Sequence, residues 1–125
     1  EIKDKENLNT LFPIKEDIFK LDEQYSEFFD IVVEYTCFCA IDIERRAEYA
    51  KIVNNILNKN GKFVALFFPT ERKEEELEKG PPFYVDLDET LLMFKNNFNI
   101  IKIDKKPDSI KPRKGFETLV IMDKQ

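Results

Sequence analysis

The chain has 125 residues, with 20 Lys and Arg against 25 Asp and Glu, a net charge of −5, and neither His nor Trp. The acidic balance, with a pI near 4.9, argues against nucleic acid or an anionic membrane as partner, whose binders carry a basic footprint. The absence of His excludes every Ser-His or Cys-His catalytic pair and every His-ligated zinc or haem.

A hydrophobic content of 42% over this length makes one globular α/β domain rather than a disordered chain. No apolar run reaches the ~18 residues of a membrane span, and no signal-peptide core opens the chain. Cys37 and Cys39 are one residue apart, too close for an easy mutual disulfide and too few for a structural zinc; they read as reduced thiols of a cytoplasmic protein. Gly61, Gly80 and Gly115 are too scattered for a glycine-rich phosphate loop, and neither Ser26 nor Ser109 sits in a nucleophile elbow.

In chain order, residues 1–10 are polar and read as a loop or a fraying helix end. Phe12 to Asp17 reads as a short strand broken by Pro13, and Lys20 to Glu27 as a polar connector. The β-branched run Phe28 to Glu34 predicts a strand buried on both faces. A helix follows, with Asp42 as N-cap and Ile43, Ala47, Ala50, Val53, Ile56 and Leu57 on one apolar face. Lys59-Asn60-Gly61 closes it, with Gly61 in the left-handed position. Lys62 to Phe68 predicts a second apolar strand, stopped by Pro69. Strand, helix and strand make a right-handed βαβ unit.

The charge run Glu71 to Lys79 reads as a solvated loop or a short exposed helix. After the Gly80-Pro81-Pro82-Phe83-Tyr84-Val85 turn, Asp86 or Asp88 caps a helix through Asn96, with Leu87, Leu91, Leu92 and Phe94 inward. Phe98 to Ile103 and Phe116 to Met122 are strands joined by the polar Asp104–Lys114 loop, hence antiparallel.

In open α/β sheets ligands bind at the carboxyl ends of the strands. Three segments lie there: Glu34-Tyr35-Thr36, Pro69 through the Gly80–Tyr84 loop, and the Asp104–Lys114 loop. A Glu34 carboxylate facing that edge accepts from a cationic or hydroxylated ligand, or else simply reaches solvent. Tyr35 offers a ring face to a cation such as a sulfonium. Pro81, Pro82 and Phe83 suit a stiff apolar wall, and Arg113 suits an anion or a surface ion pair.

These segments resemble the thiopurine and thiol/halide S-methyltransferases. The run from Phe29 through Glu34-Tyr35-Thr36 to Pro69 is similar to the second half of those enzymes. Gly80–Val85 (GPPFYV) matches their signature, and Ser109 to Gly115 (SIKPRKG) resembles the next loop. The resemblance implies a Rossmann-like class I methyltransferase sheet, mostly parallel with an antiparallel last strand. It implies S-adenosylmethionine as cofactor and a small thiol, halide or related soft nucleophile as substrate.

Residue by residue, it implies Asp17, Ile18 and Phe19 against the adenine, with Asp17 in reach of its exocyclic amine. Tyr35 falls beside the methionine part of the cofactor; Tyr there is the thiol/halide type, where thiopurine enzymes tend to have Arg. Glu34 stands where the family usually has Asp, with Thr36 next to it. Pro81, Pro82 and Phe83 become the substrate wall, and Arg113 a basic residue facing the substrate. The resemblance implies little acid–base work and assigns no catalytic or metal-binding residue, because a thiolate or halide attacks in line, sulfonium is a good leaving group, and catalysis is mainly positioning and desolvation.

The family's glycine-rich loop, first two strands, ribose-holding acid and N-terminal aromatic helix have no counterpart in these residues. The chain therefore reads as one partial methyltransferase domain: connector and short strand over 1–27, then the βαβ core, substrate loop and final strand pair over 28–125. Without the first two strands, the strand at Phe29 is left as an apolar edge, to be completed by a missing N-terminal half or a second chain. The alternative is a non-catalytic remnant or interaction module.

Overall fold

The structure is a computed structural model that describes residues 10–69 and 80–125. The predicted loop over 1–9 and the charge run Glu71 to Lys79 lie outside the described residues. The rest forms a four-stranded sheet, β1 Phe29–Tyr35, β2 Leu57–Phe67, β3 Phe98–Asp104 and β4 Thr118–Lys124, in the order β1-β2-β4-β3. β1 and β2 are parallel; β4 runs antiparallel to both β2 and β3. Helix α1, Arg46–Ile56, connects β1 to β2, and α2, Leu87–Lys95, precedes β3.

Both helices cover the same face. Phe63, Ala65 and Phe67 of β2 and Val120 and Met122 of β4 point into one core with Tyr49, Ala50 and Val53 of α1 and Leu91 and Phe94 of α2. Aromatic rings fill its centre: Phe63 stacks on Phe94 at 5.1 Å, and Phe38 meets Phe67 edge-on at 5.2 Å. The opposite face carries Val33 paired with Val64, and Tyr35 paired with Leu66, with no helix over them among the described residues.

Several expectations are corrected. Phe12 to Asp17 is not a strand; Pro13 lacks an N–H to donate to a ladder. The chain then enters a 3-10 turn, Ile18–Glu23, rather than a bare connector, because the Asp17 carboxylate caps it by accepting from Phe19 N at 3.0 Å. β1 is not buried on both faces: Ile31 is 59% and Val33 71% exposed, since among the described residues it is an edge strand with one uncovered face.

Asp42 makes no side-chain cap; a 3-10 turn, Ile43–Arg45, leads into α1. The buried stripe of α1 is therefore rotated from the predicted one: Ile43 and Ala47 face solvent, while Arg46, Tyr49 and Ile52 join Ala50, Val53 and Ile56 inside. Leu57 is wholly buried but already in β2. The left-handed residue is Asn60 (φ +63°), not Gly61. Gly61 is required for a different reason, since a Cβ there would meet the Asn58 carbonyl oxygen at 2.7 Å. Leu92 points outward at 64% exposure, displaced from the core by Thr90 on the inward side. β4 starts at Thr118 because Phe116 lies in the preceding turn, 62% exposed.

Candidate functional site

The site is built at the carboxyl ends of β1 and β2. β1 stops at Thr36, whose left-handed φ of +61° is strained for a β-branched residue and turns the chain into the 3-10 turn Phe38–Ala40. Glu34 does not face the ligand edge. It is 3% exposed and turned inward: Oε2 accepts from Cys37 N and Phe38 N, each at 3.0 Å, and Oε1 accepts from the Tyr49 hydroxyl at 2.5 Å. A buried carboxylate is tolerable only when its lone pairs are filled, and here three donors fill them. Glu34 thus pins the turn to α1.

The pinning leaves Cys37 neutral. Burial first, then the Glu34 charge, then Cys39 push its thiol up from 9.0 to about 11. Burial, the Glu34 charge and the Glu34 hydrogen bond push the Tyr49 hydroxyl upward as well, and Cys39 is raised chiefly by burial.

The second wall is the turn from Gly80 to Val85. Phe83 N donates to the Cys39 carbonyl at 2.7 Å, so the turn is tied to the Glu34-pinned segment. Gly80 is needed because a Cβ there would strike the Phe83 ring at 2.3 Å. Arg46 supplies a second tie, unanticipated in the sequence: it is 4% exposed, its guanidinium lies 4.6 Å from the Phe38 ring centroid, and Nη1 donates to the Tyr84 carbonyl at 2.5 Å. Its Nε and Nη2 have no acceptor, and burial lowers its basicity. Pro81 and Pro82 are exposed and Phe83 half-buried.

The third part is Arg113, on a 3-10 turn, Lys111–Arg113. Its guanidinium lies 4.6 Å from the Phe68 ring centroid and 5.7 Å from that of Tyr35. Tyr35 is 43% exposed, with its ring available beside the edge. Glu117, four residues on, sits 3.6 Å from Arg113 Nη1.

The 3-10 turn Ile18–Glu23 packs against α1 through Asn55 Nδ2, which donates to Asp22 at 3.0 Å. This closes an apolar cleft of about 210 Å³ lined by Ile18, Val33, Tyr35, Cys37, Tyr49 and Val53 among others. Ile18 and Tyr35 therefore share one cleft with Glu34 in its wall. Asp17, next to Ile18 in the chain, stays exposed, and Phe19 is covered by the Arg45 guanidinium at 3.5 Å. Thr36 is exposed at the strand end. Pro81 and Pro82 reach the cluster only through Phe83 and its bond to Cys39. The residues that sequence reasoning missed are Arg46, Tyr49 and Glu117. The Arg113–Glu117 spacing of four was the one signal available, and for the buried Arg46 there was none.

The parallel pair, antiparallel β4 and one-sided helices define a class of protein. The same architecture occurs in the PH0226 protein of Pyrococcus horikoshii OT3, with a TM-score of 0.74 at 16% identity over 99% of this chain and 64% of that one. A SAM-dependent methyltransferase of Methanosarcina mazei shares it with a TM-score of 0.66 at 15% identity over 87% of this chain and 65% of that one. The fold is the Rossmann-like sheet of the methyltransferases. Residues 3–125 match the family model of thiopurine S-methyltransferase (TPMT), and the chain belongs to that family.

Among relatives, thiocyanate methyltransferase 1 of Arabidopsis thaliana is 32% identical over 109 residues, covering 85% of this chain and 44% of that protein. Thiocyanate methyltransferase 1 of Brassica oleracea is 33% identical over 108 residues, covering 85% of this chain and 45% of that protein. The chain spans less than half the length of these relatives.

Proposed function

We propose that this chain forms the acceptor-side half of an S-adenosylmethionine-dependent methyltransferase that acts on a small thiol, halide or related soft nucleophile. The observation that carries the reading is the convergence of Tyr35, Phe68 and Arg113 at the carboxyl ends of β1 and β2, next to the turn that holds Phe83. Family membership and the thiocyanate methyltransferase relatives support it.

The residues present fit parts of the cofactor. The Ile18–Tyr35 cleft is apolar, as a purine ring requires, and the exposed carboxylate of Asp17, adjacent to Ile18 in the chain, can accept from an amine. Tyr35 presents a ring face, which attracts a sulfonium. When bound, the cofactor supplies an electrophilic methyl group on a positively charged sulfur. Tyr35 orients that end; Phe83 and Phe68 exclude water from the acceptor; Arg113 holds the acceptor against them. The Glu34–Tyr49 bond keeps Tyr35 at the strand end while this happens.

Tyr there, rather than Arg, favours thiols or halides over thiopurines. The uncovered edge of β1 supports the further reading that the cofactor site is completed by polypeptide packing beside Ile31 and Val33. The test is a calorimetric titration with S-adenosylmethionine, on the 125-residue chain and on a chain extended upstream through its reading frame. Binding by the extended chain, with methylation of a thiol or halide, is expected. Absence of binding by both overturns the reading in favour of a non-catalytic module.

A further inference from the structure

Glu117 immediately precedes β4, 1% exposed, and neither carboxylate oxygen has a hydrogen-bond partner. Among the described residues its ion-pair partner is Arg113, at 3.6 Å. The turn between them is compact: Phe116 N donates to the Arg113 carbonyl at 2.9 Å, and Gly115 adopts φ +88°, which a side chain would strain. This turn delivers the carboxylate beneath the guanidinium while the latter lies against Phe68 and Tyr35. A buried carboxylate without donors is costly, and the Arg113 charge offsets that cost.

We infer that Glu117 is a positioning and specificity-determining residue. It pins Arg113 across the two rings and cancels its charge, so the site presents a guanidinium face without a net positive field. Such a site binds a bare anion less strongly, relative to a thiol, than a lone arginine would, since a unit charge a few ångströms away dominates anion affinity in a partly desolvated pocket. The inference rests on the methyl-transfer reading, in which Arg113 faces the acceptor.

The test uses the chain together with the polypeptide encoded upstream of it, titrated with sodium thiocyanate and with 2-mercaptoethanol by calorimetry. In Glu117→Gln, the thiocyanate-to-thiol affinity ratio should rise about tenfold, and Glu117→Asp should restore the original ratio. An unchanged ratio overturns the inference, as does equal weakening of both ligands, which a purely structural role would produce.

A thermal cycle holds even if one variant binds poorly. Arg113→Gln strands a buried carboxylate, so its Tm should fall by about 5 °C or more below that of the Arg113→Gln/Glu117→Gln double variant. Equal Tm values overturn the pairing. Methylation assays separate the two readings: no transfer to either acceptor removes the function itself, whereas transfer to both with an unchanged ratio in Glu117→Gln removes only the role of Glu117.

Discussion

Glu34 shows how one residue joins fold and site. Its carboxylate is the acceptor for two backbone amides and the Tyr49 hydroxyl, and all three donors lose their partner in Glu34→Ala. That substitution should cost about 3–5 kcal/mol in urea unfolding, because buried donors are left without acceptors. Tyr35→Ala removes a half-open ring rather than a buried bond, so the protein should stay folded and lose cofactor affinity; unchanged binding by calorimetry would remove Tyr35 from the site. The Cys37 thiol, raised from 9.0 to about 11, is proton-bound in the fold over a range where the unfolded chain has lost its proton. The folded state then holds more protons than the unfolded one, so stability should fall as pH climbs from about 9 through about 11. Urea midpoints at pH 8 and pH 11 measure it, and slow thiol labelling at pH 8 is the companion expectation. Tyr35 and Arg113 were marked in the sequence as candidate site residues, by motif and loop position. Arg46 was not, because a cation in the first turn of a helix ordinarily faces water and only the Tyr84 carbonyl and the Phe38 ring draw it inside.

At the scale of elements, the N-cap of α2 agrees with its sequence signal although Leu92 of that helix faces outward. Asp86 accepts from Glu89 N at 2.9 Å as its N-cap, and Asp86→Ala should lower stability by about 1 kcal/mol in thermal melts. The start of β2 behaves differently. Lys59-Asn60-Gly61 carries the composition of a helix stop, yet β2 already includes it and pairing with β1 slips between Phe29 and Ile31. Asn60 takes the left-handed conformation while Gly61 is kept small by the Asn58 carbonyl, a tertiary detail that residue type alone does not encode. At the start of α1, Arg46→Met tests the tie to the Gly80–Val85 turn. Loss of two unsatisfied buried donors should leave Tm unchanged or higher, while the acceptor KM rises as the Phe83 wall loosens. A fall in Tm with an unchanged KM would show Arg46 to be structural only.

At the scale of the molecule, one sheet face is packed and the other, among the described residues, is open. Ile31, Val33 and Tyr35 are 59%, 71% and 43% exposed, and an apolar depression of about 270 Å³ between Val33, Val64, Leu66 and Leu119 adjoins them. Apolar surface with an unpaired strand edge beside it invites association. The 125-residue chain should self-associate with increasing concentration in sedimentation experiments, and Val33→Lys should suppress that association without unfolding the core. A chain extended upstream should sediment as a smaller species than the associated 125-residue chain.

The α/β class, the βαβ unit and the final antiparallel pair were readable in the sequence because each rests on local patterns: β-branched runs, three-and-four spacing and a loop without a helix. The motifs around Tyr35, Phe83 and Arg113 were readable for the same reason, being short and contiguous. The tertiary structure decided which way side chains turn. It took Glu34 from the ligand edge into the core, rotated the buried stripe of α1 towards Arg46 and Tyr49, left Phe12 to Asp17 outside the strands, and set Glu117 beneath Arg113. Each of those outcomes depends on a donor, a ring or a strand edge supplied from elsewhere in the chain, and pairings of that kind leave no periodicity to read.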